Sequence, residues 1–374
     1  MTSERSQERL HYMDHLRALA MLAGVLFHAA LAHSPLMSSY FPTADRQSSP
    51  WVDAVVWGSH LARMPLFFLI AGFFAAWLIE RRGQGGLFRQ RVRRIALPLL
   101  VAWPLVNWAL TESTVWAARS VENPSAVLRL VRYFIELPDP PSAPITLSHL
   151  WFLHYLLVFT VLHWVFRTLG FGRVGELLLR GSAARVLWLL PLLLVPALAS
   201  VSAPHPAPES PLPQFWAIAF YGAFFALGAL VHGEPDWLTR ARGCAPWLAL
   251  GCCALYAIFL WRLRAEPPGE ARPTASWTVA ALEALLSVWL TVLCLLAGES
   301  LLRRPNALLQ YLARSSYWVY LLHLPLLFAL QYLMMDLELA WPLKLTLASA
   351  GTLALCLLSY QLLVARTPLR RFVG

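Results

Sequence analysis

An all-α, polytopic membrane protein of about ten transmembrane helices is the fold class this sequence predicts, and three observations carry it. Of 374 residues, 58% are hydrophobic and only 13% are charged. The mean hydropathy of +0.56 lies well outside a soluble domain's balance. Apolar stretches of about 20 residues, long enough to cross a ~30 Å hydrocarbon core, recur along the chain. They fall near 14–33, 52–79, 95–116, 149–169, 184–201, 214–232, 245–261, 276–301, 316–335 and 342–364.

Orientation follows from the cations, because basic residues are retained on the cytoplasmic side. With the N-terminus inside, 20 of the 30 basic residues fall in inside connectors and tails, Arg173 and Arg180 among them. Eight fall outside, including Arg272, and Arg17 and Arg63 lie within spans. Both termini are therefore expected in the cytoplasm, and the net charge of +10 marks topology. Nucleic-acid binding fits poorly, because no soluble basic face or recognition module carries it. The connectors 34–51, 137–144 and 203–211 are too short or too Pro-rich to build a core. A single membrane domain over 1–374 is expected.

The first span holds Asp14, Arg17 and His28. Polar groups interrupt its apolar stretch and no small-residue cleavage site follows, so a retained first helix is expected rather than a cleaved signal. Ionisable groups are costly in hydrocarbon, and chemistry is one reason to keep them. Eleven steps of 100° put Arg17 and His28 about 20° apart on one face and ~16 Å apart along the axis. Asp14, three residues before Arg17, can pair with the guanidinium. A satisfied packing network is the alternative.

The second span commits Arg63 to the interior beside His60, with Pro65 and Gly72 allowing a kink and close backbone approach. Helical rise puts Arg63 ~18 Å down from Trp51 and His28 ~18 Å up from Leu16, each near mid-depth. A structural arginine bonded to a carbonyl would explain Arg63 equally. A basic loop follows, in which Arg91 and Arg94 at the start of the third helix can clamp phosphate where the helix dipole also favours an anion. Ordinary positive-inside anchoring is the competing reading. Between Pro124 and Leu137, the spacing of Val127, Leu130, Val131, Phe134 and Ile135 predicts an amphipathic helix on the outer surface.

The fourth span opens with Ser148, His149, Leu150 and Trp151, placed to meet an extracytoplasmic substrate or to form an interfacial aromatic belt. In the ninth, Tyr320 and His323 share a face. Both His149 and His323 suit either a site or a helix–helix hydrogen bond. The five cysteines lack metal-ligand spacing, so no metal is expected and small apolar packing is their default role. No serine-hydrolase elbow, phosphate loop or zinc-protease motif is present. What remains is a histidine base with buried arginines.

In order, these residues resemble integral-membrane acyltransferase family 3, whose hallmark is an arginine, ten residues and a histidine in the first helix. The chain looks most like the family's periplasmic glucan succinyltransferase branch. The resemblance rests on Asp14 to Arg17, on Arg63-Met64, on Phe67-Phe68-Leu69-Ile70-Ala71-Gly72, on Arg91 to Arg94 with Pro98, on Ser148 to Leu153 and on Tyr320 to His323. It covers the first 160 residues well; Ala71 departs from the serine that relatives carry there.

The resemblance implies a bacterial inner-membrane enzyme that moves an acyl group from cytosolic succinyl-CoA or acetyl-CoA to a hydroxyl of an envelope glycan. Arg17, Arg91 and Arg94 would hold the phosphates, and the ~16 Å to His28 is of the order of a pantetheine arm. His28 would take the hydroxyl proton, Arg63 would stabilise the oxyanion or orient a succinyl carboxylate, and Asp14 would hold Arg17. His149, Trp151, Tyr320 and His323 would meet the acceptor. Acetylation of lipopolysaccharide, exopolysaccharide or a lipid-linked sugar is the nearest alternative. An anion or proton-coupled transporter is the more distant one.

Overall fold

A computed structural model describes residues 2–141, 145–170, 183–234, 236–265 and 276–373, without the side chains of 2–10. Arg173, Arg180, Arg272 and the end of the first Pro-rich run (142–144) lie outside the described residues. Helix makes up 81% and no strand occurs among the described residues, so the chain is all-α. The helices are α1 (Thr2–Leu31), α2 (Pro50–Arg91), α3 (Leu97–Ser120), α4 (Ala126–Ile135), α5 (Trp151–Thr168), α6 (Ala183–Ala199) and α7 (Phe215–Gly233). They continue as α8 (Asp236–Ala241), α9 (Ala245–Ala265), α10 (Trp277–Leu301), α11 (Ala307–Met334), α12 (Trp341–Ser359) and α13 (Arg370–Val373).

A helix covers each stretch read as a span, and eight continuous helical stretches among the described residues are long and apolar enough to cross a membrane. Pro50–Ser120 forms one such stretch of 71 residues, and Ala183–Ala199 is shorter. The basic segment after the second span is therefore two helical pieces that meet at a kink rather than an open loop. Its backbone leaves helical geometry at Gly83 (φ 65°), a conformation glycine adopts freely, and the helix runs through Pro65. A π-helical turn, Val92–Ala96, joins α2 to α3 without a gap. No free helix start exists at Arg91, so the dipole argument for an anion there fails: its neighbours' N–H groups are already bonded within the continuous helix.

The chain divides into two compact units. One comprises Met1–Ala20, His60–Leu97 and Trp151–Ala313; the other comprises Met21–Ser59, Pro98–Leu150 and Arg314–Gly374.

In the first unit, α10 packs against α6 and α9, and α6 packs against α7. The indole of Trp289 on α10 donates to the Leu187 carbonyl of α6 at 2.9 Å, satisfying a buried donor. α2 meets α7 at two reciprocal glycines. The face of Gly72 lies against the Phe225 carbonyl, and that of Gly228 against the Leu69 carbonyl. Membrane helices gain contact from such small residues because backbones can approach closely. The Gly72 approach is the one its position in the second span predicts.

In the second unit, the connector between α1 and α2 is tied down by polar bonds. Gln331 on α11 accepts from Thr43 at 2.7 Å and donates to the Ala29 carbonyl at 2.9 Å. Lys344 and Asp45 form a bridge of 2.6 Å, each about 5% exposed, and Lys344 also donates to the Met335 carbonyl. A buried pair needs such extra bonds to offset its desolvation. The expected amphipathic helix is α4, capped by Ser125, whose side chain accepts from the Leu128 N–H at 3.1 Å. Arg132 fastens it to α3 through the carbonyls of Ala118 and Val121. Leu130, Tyr133 and Phe134 face outward.

Candidate functional site

The second unit gathers three histidines and a tyrosine from distant parts of the chain. His28 lies in the last turn of α1, half-buried, its ring 5.1 Å from Phe27 and 5.4 Å from His323. His323 lies 5.0 Å from the His149 ring. The Tyr320 carbonyl accepts from His323 Nδ1 at 2.8 Å and from His149 Nε2 at 3.1 Å. Its hydroxyl donates back to the His149 carbonyl at 2.5 Å. Because a carbonyl only accepts, His323 donates from Nδ1.

His149 is presented by a short 3-10 turn, Ser148–Leu150. Ser148 sits at φ 48°, left-handed and uncommon for serine, and its N–H bonds Thr146 Oγ1 at 3.3 Å. Trp103 on α3 donates to the Thr146 carbonyl at 2.7 Å and steadies the same turn. His149 makes the expected hydrogen bond to a second helix, His323 bonds a carbonyl of its own helix, and the His323 ring stands beside His28.

In the first unit, the expected Asp14–Arg17 pair is present at 3.1 Å, and Arg17 also donates to the Ala313 carbonyl at 2.9 Å. The guanidinium lies 5.9 Å from the centre of the Phe74 ring. Arg94 feels the charges of Arg93, Arg17 and Arg82, so the cationic cluster exceeds the Arg91 and Arg94 pair read from sequence. The spacing of Arg89, Arg91, Arg93 and Arg94 scatters these charges around a helix. The π turn, which adds a residue to the local winding, is what sequence periodicity lacks. Arg91 donates to the Ala71 carbonyl at 3.4 Å, a long bond that uses no side chain of residue 71. The absent serine hydroxyl therefore leaves this contact intact.

Arg63 is 7% exposed, within electrostatic reach of His60 and the Tyr221 phenol. Trp151 is buried in an aromatic group, 5.1 Å from Tyr221 and 6.0 Å from Phe68. Sequence reading missed His205 and Glu283, both fully buried beside His60. Residues 60, 205 and 283 share no spacing that a periodicity can register.

The arginine cluster of the first unit suits an anionic donor, and the histidine cluster of the second suits proton transfer. The family profile described as an acyltransferase domain, that of acyltransferase family 3, matches residues 10–361. The chain belongs to acyltransferase family 3. Among curated relatives, the acyltransferase is similar to glucans biosynthesis protein C of Salmonella paratyphi A, 26% identical over 341 residues. It is likewise similar to glucans biosynthesis protein C of Salmonella heidelberg, 28% identical over 334 residues. Each alignment covers 85% of this chain and 82% of the relative. No solved structure matches. With the apolar helices, family membership makes this enzyme a multi-pass membrane acyltransferase.

Proposed function

We propose that this enzyme moves a succinyl or acetyl group from cytosolic acyl-CoA to a hydroxyl of an envelope glycan, from the bacterial inner membrane and with both termini in the cytoplasm. The observation that carries this reading is the His28, His323, Tyr320 and His149 cluster within a chain that matches the acyltransferase family from residue 10 to 361. The naming of these relatives for glucan biosynthesis supports a glucan acceptor, and the excess of basic residues in the connectors on the same side as the N-terminus supports the orientation.

His28 accepts the acceptor hydroxyl's proton as that oxygen attacks the thioester carbonyl. The carbon–sulfur bond then breaks and CoA leaves as the thiolate, which takes up a proton. Arg63 holds the developing oxyanion or the far carboxylate of a succinyl group. Arg17, held by Asp14, joins Arg91 and Arg94 on the donor's phosphates, which concentrated positive charge favours. His149, Tyr320, His323 and Trp151 meet the acceptor.

Mass spectrometry of periplasmic glucans from deletion and complemented cells is expected to show an acyl substituent only when the gene is present. Acylated lipopolysaccharide or exopolysaccharide with unchanged glucans would overturn the glucan assignment. For the donor side, Arg91→Ala/Arg94→Ala in isolated membranes is expected to raise the KM for acyl-CoA roughly 10- to 100-fold, the worth of one or two charge-assisted bonds. An unchanged KM would sink the clamp.

A further inference from the structure

We propose that His60, His205 and Glu283 bind a zinc ion in the first compact unit. His205, in the connector before α7, directs both its backbone N–H and its ring at one carboxylate oxygen of Glu283 on α10. The distances to Oε1 are 2.9 Å from the backbone nitrogen and 2.6 Å from Nδ1. His60 on α2 bonds the His205 carbonyl through Nε2 at 3.0 Å, and the two imidazoles lie 4.4 Å apart. One ligand atom from each of the three lies within 4.8 Å of the others.

The second observation is what these bonds leave over. Glu283 Oε2 and His205 Nε2 are buried and have no hydrogen-bond partner. The 2.6 Å contact between His205 Nδ1 and Glu283 Oε1 holds one proton between two ligand atoms, and a metal ion would take that proton's place. Glu283 Oε2 gives the same carboxylate a second oxygen that can turn toward the ion, so three buried ligand-bearing side chains can face one Lewis acid.

Two imidazoles and a carboxylate suit zinc better than magnesium or calcium, which prefer all-oxygen shells. Zinc–ligand bonds near 2.0–2.1 Å draw ligand atoms to about 3.4 Å apart, so small side-chain rotations close the group. Trp216, Phe220 and Tyr221 surround the His205 ring at 4.8–6.0 Å and supply an apolar shell. Arg63, one turn along α2 from His60, opposes a bare dication, since it acts electrostatically on that imidazole. The Glu283 carboxylate, facing the same ion, offsets part of this repulsion. The ion would clamp the connector before α7 to α2 and α10.

The full chain, purified in detergent with a histidine-free affinity tag and dialysed against metal-free buffer, is to be assayed by inductively coupled plasma mass spectrometry. The expected content is about one zinc per chain, falling at least fivefold in His205→Ala and in Glu283→Gln, with His232→Ala as a control that retains it. Cobalt(II) exchanged into the wild-type chain should give the visible bands of a low-coordinate nitrogen and oxygen site, a readout that holds even if the variants do not fold. Wild-type protein that keeps no zinc after reloading and shows no cobalt bands overturns the proposal. So does zinc retained in both variants.

Discussion

His28→Ala is expected to lower acyl transfer by about 10²- to 10⁴-fold, the usual worth of a positioned general base. The folded protein should survive, because His28 is only half-buried and its ring contacts are edge-on or tilted. The measurement is transfer from labelled acyl-CoA in membranes, with variant abundance checked by fluorescence size exclusion. Because a base acts in the chemical step, the loss should fall on kcat, with the donor KM close to wild type. Tyr320→Phe provides the contrast. It removes the hydroxyl that bonds the His149 carbonyl but keeps the carbonyl that orients both neighbouring rings, so a loss of only about tenfold is expected. Full activity in His28→Ala would remove the base assignment.

Gly228→Ala and Gly72→Ala are expected to abolish the folded enzyme although each adds one methyl group. At either position the new carbon falls on a backbone carbonyl, Leu69 for Gly228 and Phe225 for Gly72, and backbone cannot swing aside as a side-chain tip can. α2 and α7 would have to part along their contact, at a cost above the ~1–3 kcal/mol of ordinary overpacking. Gly85 and Gly233 serve as controls, since an added Cβ meets nothing within 4 Å at either. Detergent-solubilised material should elute as aggregate for the first pair and as wild type for the second. A monodisperse, active Gly228→Ala protein would show that the helices have slack.

The sequence expressed whatever repeats along one helix. Hydropathy located the helices, the i,i+3 spacing of Asp14 and Arg17 foretold their ion pair, and the apolar stripe from Val127 to Ile135 foretold α4. It misread the segment around Arg91. Gly83 and two further glycines suggest a loop, yet helical bonding continues through the π turn into α3. The histidine cluster was half legible: His28, His149 and His323 each stood out as intramembrane polar groups, but nothing local says that Tyr320 bonds two of them. The grouping of His60, His205 and Glu283 was not legible at all, because pairing between distant helices leaves no period in the chain.

The clasp between His149 and Tyr320 spans 171 residues of sequence. Contacts that distant cannot form until the later partner has been synthesised, and closing such a loop also costs entropy. At about 5–20 residues per second, translation separates the two residues by roughly 10–30 s. Through that interval His149 waits in the bilayer without the bonds that will orient it, a window open to membrane proteases and to wrong helix partners. The histidine cluster is thus assembled late in biosynthesis, and an early stop before residue 320 leaves a helical membrane protein without it.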